Sequence, residues 1–378
     1  MKKIISSMLT IFVIVAIMFN IDLIAGAAVS VTTVKESHIK TVFDVNNYPY
    51  NTGSGTVTST NLGGISVGAA NNRLFAVKSN SGEEVATLYY YNNIYDSGFA
   101  NGTKKPKRIV FTEGLLGHAN AMAVDDDYIY VTMWQKNGSE KNSIIQISRK
   151  AISLLADEAV VSKTKKTVKD SNGDSIAIYK TFTPKYSDGK DYTKSIASIT
   201  RYSYNKDAGI TKFIIGYGYT SDRKTLNFTI ATLQDGKFTV SRDYFVVNNS
   251  LGKSSDTMQD IFYDSAYGLL IPIWVSGTSN RVLCADIRAI KNNTSGETLT
   301  FDPYKILSVT KSKDNNGTLT QFEMESIAFV KRDENKNSID FRLIFSCNKL
   351  KLDNNGKNVG CDAIEEITPL KTYLTKLT

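Results

Sequence analysis

The side chains best suited to chemistry in this chain are few. Glu323 and Glu325 stand two residues apart, Asp260 precedes Glu323 by 63, and His118 is one of only two histidines. Paired carboxylates are what glycoside cleavage requires, one held protonated as an acid and the other acting as base or nucleophile. His118, within Gly114-Leu-Leu-Gly-His-Ala-Asn120, suits a general base or a ligand hydrogen-bonder, and its plainer role is to satisfy loop backbone. Asn120 and Gln259 extend the polar set, while Trp134 and Trp274 offer faces on which sugar rings stack. The candidate catalytic groups are therefore Asp260, Glu323, Glu325 and His118. The candidate ligand-binding groups are His118, Asn120, Gln259, Asp260, Glu325, Trp134 and Trp274.

Other chemistries lack their residues. Asp170-Ser-Asn-Gly-Asp174 has its glycine too early for a calcium loop, and no glutamate closes it. Asp125-Asp126-Asp127 reads as a solvated turn. With no C-x-x-C pair and two histidines, a zinc site has little to be made from, so neither metal nor cofactor is expected. No G-x-S-x-G, no P-loop and no G-x-G-x-x-G after a strand is present, which removes support for serine hydrolases and nucleotide enzymes. Of the three cysteines, Cys347 and Cys361 flank a turn-rich stretch and either staple a hairpin or stay free thiols, like Cys284.

The candidate residues cluster beside a recurring pattern. Small or polar residues precede an Ile or Met, and a strand rich in β-branched and aromatic residues follows. The anchors are Ile65, Met122, Ile199, Ile261 and Ile327, spaced 57, 77, 62 and 66 residues apart. Further strand candidates lie between them: Val85–Tyr91, Ser143–Ile147, Ile176–Phe182, Leu226–Leu233, Lys237–Arg242 and Val282–Ile287. Turn pairs such as Asn172-Gly173, Asp235-Gly236 and Asn355-Gly356 separate them. Each period has room for about four strands, so the fold expected is an all-β propeller of five four-stranded blades. A sixth, degenerate blade has room in residues 28–60 or 150–190. A pair of β-sandwiches is the competing arrangement. Little helix is expected; the best candidate is Arg149–Ser162, where Ile152, Leu155 and Ala159 share a face, and a strand running into a loop fits the same stretch equally well.

In a propeller, the residues just before the anchors face the funnel where the innermost strands begin. Of Tyr89-Tyr90-Tyr91, alternation sets Tyr90 opposite its neighbours, so one face of the triplet should be exposed.

Lys2 and Lys3, an apolar run from Met8 to Phe19 and the Ala25-x-Ala27 ending have the layout of a secretory signal peptide. We expect residues 1–27 to be such a signal and 28–378 to form one propeller domain. Asn20 and Asp22 interrupt the run before it reaches membrane-spanning length, and no hydrophobic tail precedes Thr378. The product is thus expected to be extracellular, monomeric and free of a transmembrane anchor. The 42% hydrophobic and 22% charged composition excludes a disordered chain. The net charge of +8 gathers in Lys104, Lys105, Lys107 and Arg108, and in Lys163, Lys165, Lys166 and Lys169. Outside a cell such patches attract anionic wall polymers more readily than nucleic acid.

At Gly117-His-Ala-Asn-Ala-Met122, the aromatic strand ending at Trp134, and the looser Glu325-Ser-Ile-Ala-Phe329, the chain resembles secreted bacterial propellers of the helveticin J-like group. That group is described as bacteriocin-like. The resemblance implies a propeller and secretion, and names neither a ligand nor a catalytic residue. The function expected is binding of a glycan or bacterial cell-surface polymer. A glycan-acting hydrolase or lyase using the funnel carboxylates is the alternative, and a protein-interaction module is a third reading.

Overall fold

Alternation with period two runs through the strands, so each sheet presents different side chains to its two neighbours. In Tyr128–Thr132, Ile129 and Val131 join one buried cluster while Tyr130 joins another. Such strands cannot bury both faces in an isolated sheet, and stacking sheets around an axis satisfies them all. In the computed structural model the described residues are 29–51, 55–68, 72–134, 141–292, 297–314, 317–335 and 338–377. The proposed signal segment, residues 1–27, lies outside them.

The fold is all-β, with its sheets set as propeller blades. Sheet 1 runs outward through Asn61–Gly68, Arg73–Ser79, Ala86–Tyr91 and Lys107–Phe111. Sheet 2 uses Met122–Val124, Tyr128–Thr132, Ile144–Ser148 and Tyr179–Phe182. Sheet 3 uses Ser198–Asn205, Ile210–Tyr219, Thr225–Gln234 and Lys237–Asn248. Sheet 4 begins with Thr257–Met258 and Phe262–Asp264, then Gly268–Ser276, Ser279–Ala285 and Pro303–Thr310. Sheet 5 uses Gly317–Asn335, Ser338–Leu352 and Ala363–Ile367, and Ile39–Asp44 completes it from the other end of the chain.

The innermost strands of sheets 1 and 2, 2 and 3, 3 and 4, 4 and 5, and 5 and 1 lie against one another, closing the ring. Five hydrophobic clusters occupy the five interfaces. Leu270, Cys284 and Phe322 belong to that between sheets 4 and 5, and Leu62, Tyr91 and Ile344 to that between sheets 5 and 1. Each fully buried aliphatic side chain there stabilises the fold by about 1.5–3 kcal/mol.

Extra strands attach at blade edges, among them Lys185–Tyr186, which follows the last strand of sheet 2 and pairs in parallel with Thr239 and Val240 of sheet 3. Ala159–Val161 leaves sheet 2 after its third strand and pairs in parallel with Ile109–Phe111 of sheet 1. Leu299–Phe301 leaves sheet 4 at the same stage and pairs in parallel with Phe245–Val247 of sheet 3. Ser30–Thr33 adds to the outer edge of sheet 4.

Several expectations change. The helix over Arg149–Ser162 stops at Leu154, because the chain must extend to reach sheet 1 at Ala159. Ile176–Phe182 is two strands, Ser175–Ala177 in a two-stranded ribbon and Tyr179–Phe182 in sheet 2. No further blade occupies the described parts of residues 28–60 or 150–190, which instead supply edge strands, ribbons and the outer strand of sheet 2. Tyr90 does point away from Tyr89 and Tyr91, yet it is half-buried and stacks on Phe75, with ring centroids 5.1 Å apart. All three cysteines are free thiols, so no staple joins Cys347 to Cys361. No helix among the described residues is long and apolar enough to cross a membrane.

Candidate functional site

Glycines at the anchors let the innermost strands crowd together. A Cβ on Gly64 would sit 2.9 Å from backbone atoms of Ala121 and Met122, and one on Gly63 would sit 2.6 Å from the Ala119 carbonyl oxygen. The Gly64 N–H donates to that same carbonyl at 3.1 Å. This close approach brings the loops before Met122 and Ile261 to one end of the axis, together with the Asn61 and Glu323 ends of the inner strands of sheets 1 and 5.

A chain of polar contacts spans that end. The His118 imidazole lies 3.1 Å from Glu83 through Nδ1 and 3.2 Å from the Asn61 amide through Nε2. Asn348 donates from Nδ2 to Asn61 Oδ1 at 2.8 Å and to Glu325 Oε1 at 2.6 Å, and its Oδ1 accepts the Leu62 N–H at 2.9 Å. Glu323 accepts from the side-chain amides of Gln259 and Gln321, both at 2.8 Å. Asn120 is buried and donates to the Ala197 carbonyl at 3.3 Å, tying sheet 2 to sheet 3.

Two of the three carboxylates are closed to a ligand. Asp260 is 0% exposed; its oxygens meet Ser326 Oγ at 2.7 Å, the Ile261 N–H at 2.7 Å, the Met122 N–H at 3.3 Å and the Ile199 N–H. Burial pushes its carboxyl up to about 8, against the pull of those hydrogen bonds. Glu325 is 5% exposed; burial raises its carboxyl well above the usual range, and the Glu323 charge adds to that rise. Glu323 is half-buried and its carboxyl is likewise raised by burial.

The sequence candidates therefore divide. Asp260, Glu325 and Asn120 join blades to one another, and Gln259 positions Glu323. His118, with its side chain 27% exposed, Glu323, Trp134 and Trp274 keep partial access to solvent. Trp134 meets the His118 ring edge-on with centroids 5.4 Å apart, and Trp274 donates from Nε1 to the Gly277 carbonyl at 3.2 Å. Sequence reading missed Asn61, Glu83, Gln321 and Asn348; Asn61, two residues before Gly63-Gly64, carried the one available signal. Among the described residues no three His, Cys, Asp or Glu side chains converge as metal ligands.

The two basic clusters also differ. In the first, Lys104 pairs with Asp96 at 2.7 Å, Arg108 pairs with Glu158, and Lys107 reaches the Ser153 carbonyl. In the second, Lys163, Lys165, Lys166 and Lys169 are exposed and no ion pair involves them among the described residues.

A roomy cavity lies elsewhere. It measures about 780 Å³ and opens between sheets 2 and 3 at the opposite face, by the Asp125–Tyr128 turn and the hairpin around Gly209.

No family model matches the chain, and no curated protein matches it. Among solved structures it is similar to a GH43 β-1,3-galactosidase, at 12% identity and a TM-score of 0.37, covering 88% of this chain and 62% of that one. It is also similar to a Trypanosoma rangeli sialidase in complex with 2,3-difluorosialic acid, at 8% identity and a TM-score of 0.34, covering 84% and 51%. A subtype N11 neuraminidase-like protein of the H18N11 strain A/flat-faced bat/Peru matches at 10% identity and a TM-score of 0.34, covering 91% and 98%. The chain spans less than two thirds of the length of the first two.

Proposed function

We propose that the protein is a secreted, five-bladed propeller that binds a glycan or bacterial cell-surface polymer. The observation that carries this reading is the makeup of the axial mouth. Its partly exposed groups are His118, Gln321 and Glu323 beside Trp134 and Trp274, hydrogen-bonding groups next to aromatic faces. Binding is favoured over hydrolysis because two of the three carboxylates proposed for cleavage, Asp260 and Glu325, are buried and engaged. The basic, apolar and Ala-x-Ala features of residues 1–27 support release from the cell, and the resemblance to helveticin J-like propellers supports a bacteriocin-like role at a target surface.

The test is binding of residues 28–378 to a glycan array and to isolated bacterial cell walls, with product analysis on every hit. Retention without product supports recognition. A cleaved product that disappears in Glu323→Gln would replace this reading with the hydrolase, and retention on neither would remove both.

A further inference from the structure

We infer that the cleft between sheets 2 and 3, on the face away from the axial mouth, is a second carbohydrate site that takes an uncharged oligosaccharide. This inference rests on the glycan reading above and adds a location and a ligand class to it.

Three independent observations meet in this cleft. At about 780 Å³ it falls within the ordinary range of ligand pockets. Among the described residues only two large aromatic side chains are more than a third exposed, Tyr128 at 37% and Tyr204 at 51%, and both line it. Tyr128 stands on sheet 2 and Tyr204 on sheet 3, so an aromatic ring is offered from each wall. Exposed tyrosines leave apolar faces in water, a cost that a sugar ring removes while the phenol stays hydrogen-bonded.

The third observation is Arg201. Arg201 is half-buried at the cleft, and among the described residues its guanidinium makes no hydrogen bond or ion pair. Five N–H donors in a partly desolvated position call for acceptors, and sugar hydroxyl and ring oxygens supply them. The Asp126 carboxylate, also without a side-chain partner among the described residues, offers the complementary acceptors. Charge sets the ligand class. Four aspartates line the cleft against two lysines and one arginine, so neither a polyanion nor a polycation gains from the local field. Asp125 is already engaged, accepting the Asp127 and Tyr128 N–H groups and the Tyr130 hydroxyl.

The test titrates uncharged gluco-, xylo-, manno- and N-acetylglucosamine hexaoses into the wild-type chain and into Tyr204→Ala, Arg201→Gln and Trp274→Ala, with thermal unfolding run on each. Tyr204 is exposed and Arg201 unpaired, so both variants are expected to fold. The expected result is binding of at least one hexaose, weakened about tenfold by Tyr204→Ala or Arg201→Gln; a stacked aromatic contact is worth up to about 1.5 kcal/mol, and about 1.4 kcal/mol is tenfold. Binding that Trp274→Ala weakens and the cleft variants do not would overturn the cleft site while keeping the glycan reading. No uncharged hexaose bound, with cell walls still retained, would overturn the cleft site alone. No retention on any surface would overturn both.

Discussion

Asp260 Oδ2 and Ser326 Oγ lie 2.7 Å apart, and Ser326 Oγ is also 3.3 Å from the Ile65 carbonyl oxygen. Ser326 donates from Oγ to Asp260 Oδ2 and faces the Ile65 carbonyl as its second acceptor, so one hydroxyl joins sheets 4, 5 and 1. We predict that Asp260→Asn, whose amide oxygen still accepts a hydrogen bond, costs about 1 kcal/mol. Asp260→Ala, which leaves buried N–H groups unpaired beside a cavity, should cost about 3 kcal/mol or more. Urea unfolding at neutral pH measures both, and equal losses would refute this junction.

The same carboxyl predicts a pH dependence. Its value in the folded protein, about 8, lies above that of an unfolded aspartate, so between about pH 4 and pH 8 the native chain holds a proton that the unfolded chain has released. Stability from this group is complete below pH 4 and falls as pH rises through 8, and the raised Glu325 and Glu323 act in the same direction. Urea midpoints at pH 5, 7 and 9 should decline, with a shallower slope in Asp260→Asn. A midpoint that climbs across this range would contradict the assignment.

Lys349 is fully buried between Asp314 at 2.6 Å and Glu365 at 2.7 Å, and Lys311 reaches the same Glu365 at 2.8 Å. Burial alone would raise the Asp314 carboxyl, but the two ammonium groups hold it well below the usual range. Lys349→Ala strands these carboxylates and should cost about 3–5 kcal/mol. Calorimetry on the purified variant checks this, and a loss under 1 kcal/mol would show that Lys311 alone compensates both acids.

Gly64→Ala places a methyl group 2.9 Å from backbone that cannot yield easily. We expect a loss of about 2–3 kcal/mol. Gly360→Ala, where an added Cβ meets nothing within 4 Å, should change stability by well under 1 kcal/mol and serves as the control.

If the unpaired Lys163, Lys165, Lys166 and Lys169 attract a wall polymer, retention on cell walls should weaken between about 0.05 and 0.5 M salt. Replacing all four with Gln should remove most of that salt dependence. Unchanged dependence would assign the effect to other surfaces.

The anchors at Ile65, Met122, Ile199, Ile261 and Ile327 were legible because close packing near the axis selects small residues at fixed places, as at Gly63-Gly64. The end of the helix at Leu154 was not legible: its apolar spacing is helical, and only the sheet 1 edge that captures Ala159–Val161 overrides it. Lys78 is fully buried on an apolar strand and pairs with Asp362 at 2.7 Å, a partner distant in sequence. The site was half legible for a related reason. Polar residues near the axis could be named from their position before each anchor, but whether a carboxylate faces a ligand or a neighbouring blade depends on partners such as Ser326 and Asn348. Asp125-Asp126-Asp127 does form a turn, and what the sequence hid is that Tyr204 of the next blade faces it across a cleft.

The borrowed strands Ala159–Val161 and Leu299–Phe301 bear on how such a chain can grow or shrink. Each even-numbered blade lends an edge to the odd-numbered blade before it, so excising one blade would leave its neighbour with a bare edge or a loop without a dock. The natural unit of duplication or transplantation in this architecture is consequently a couplet of blades, and the fifth stands apart as the clasp that both chain ends fasten.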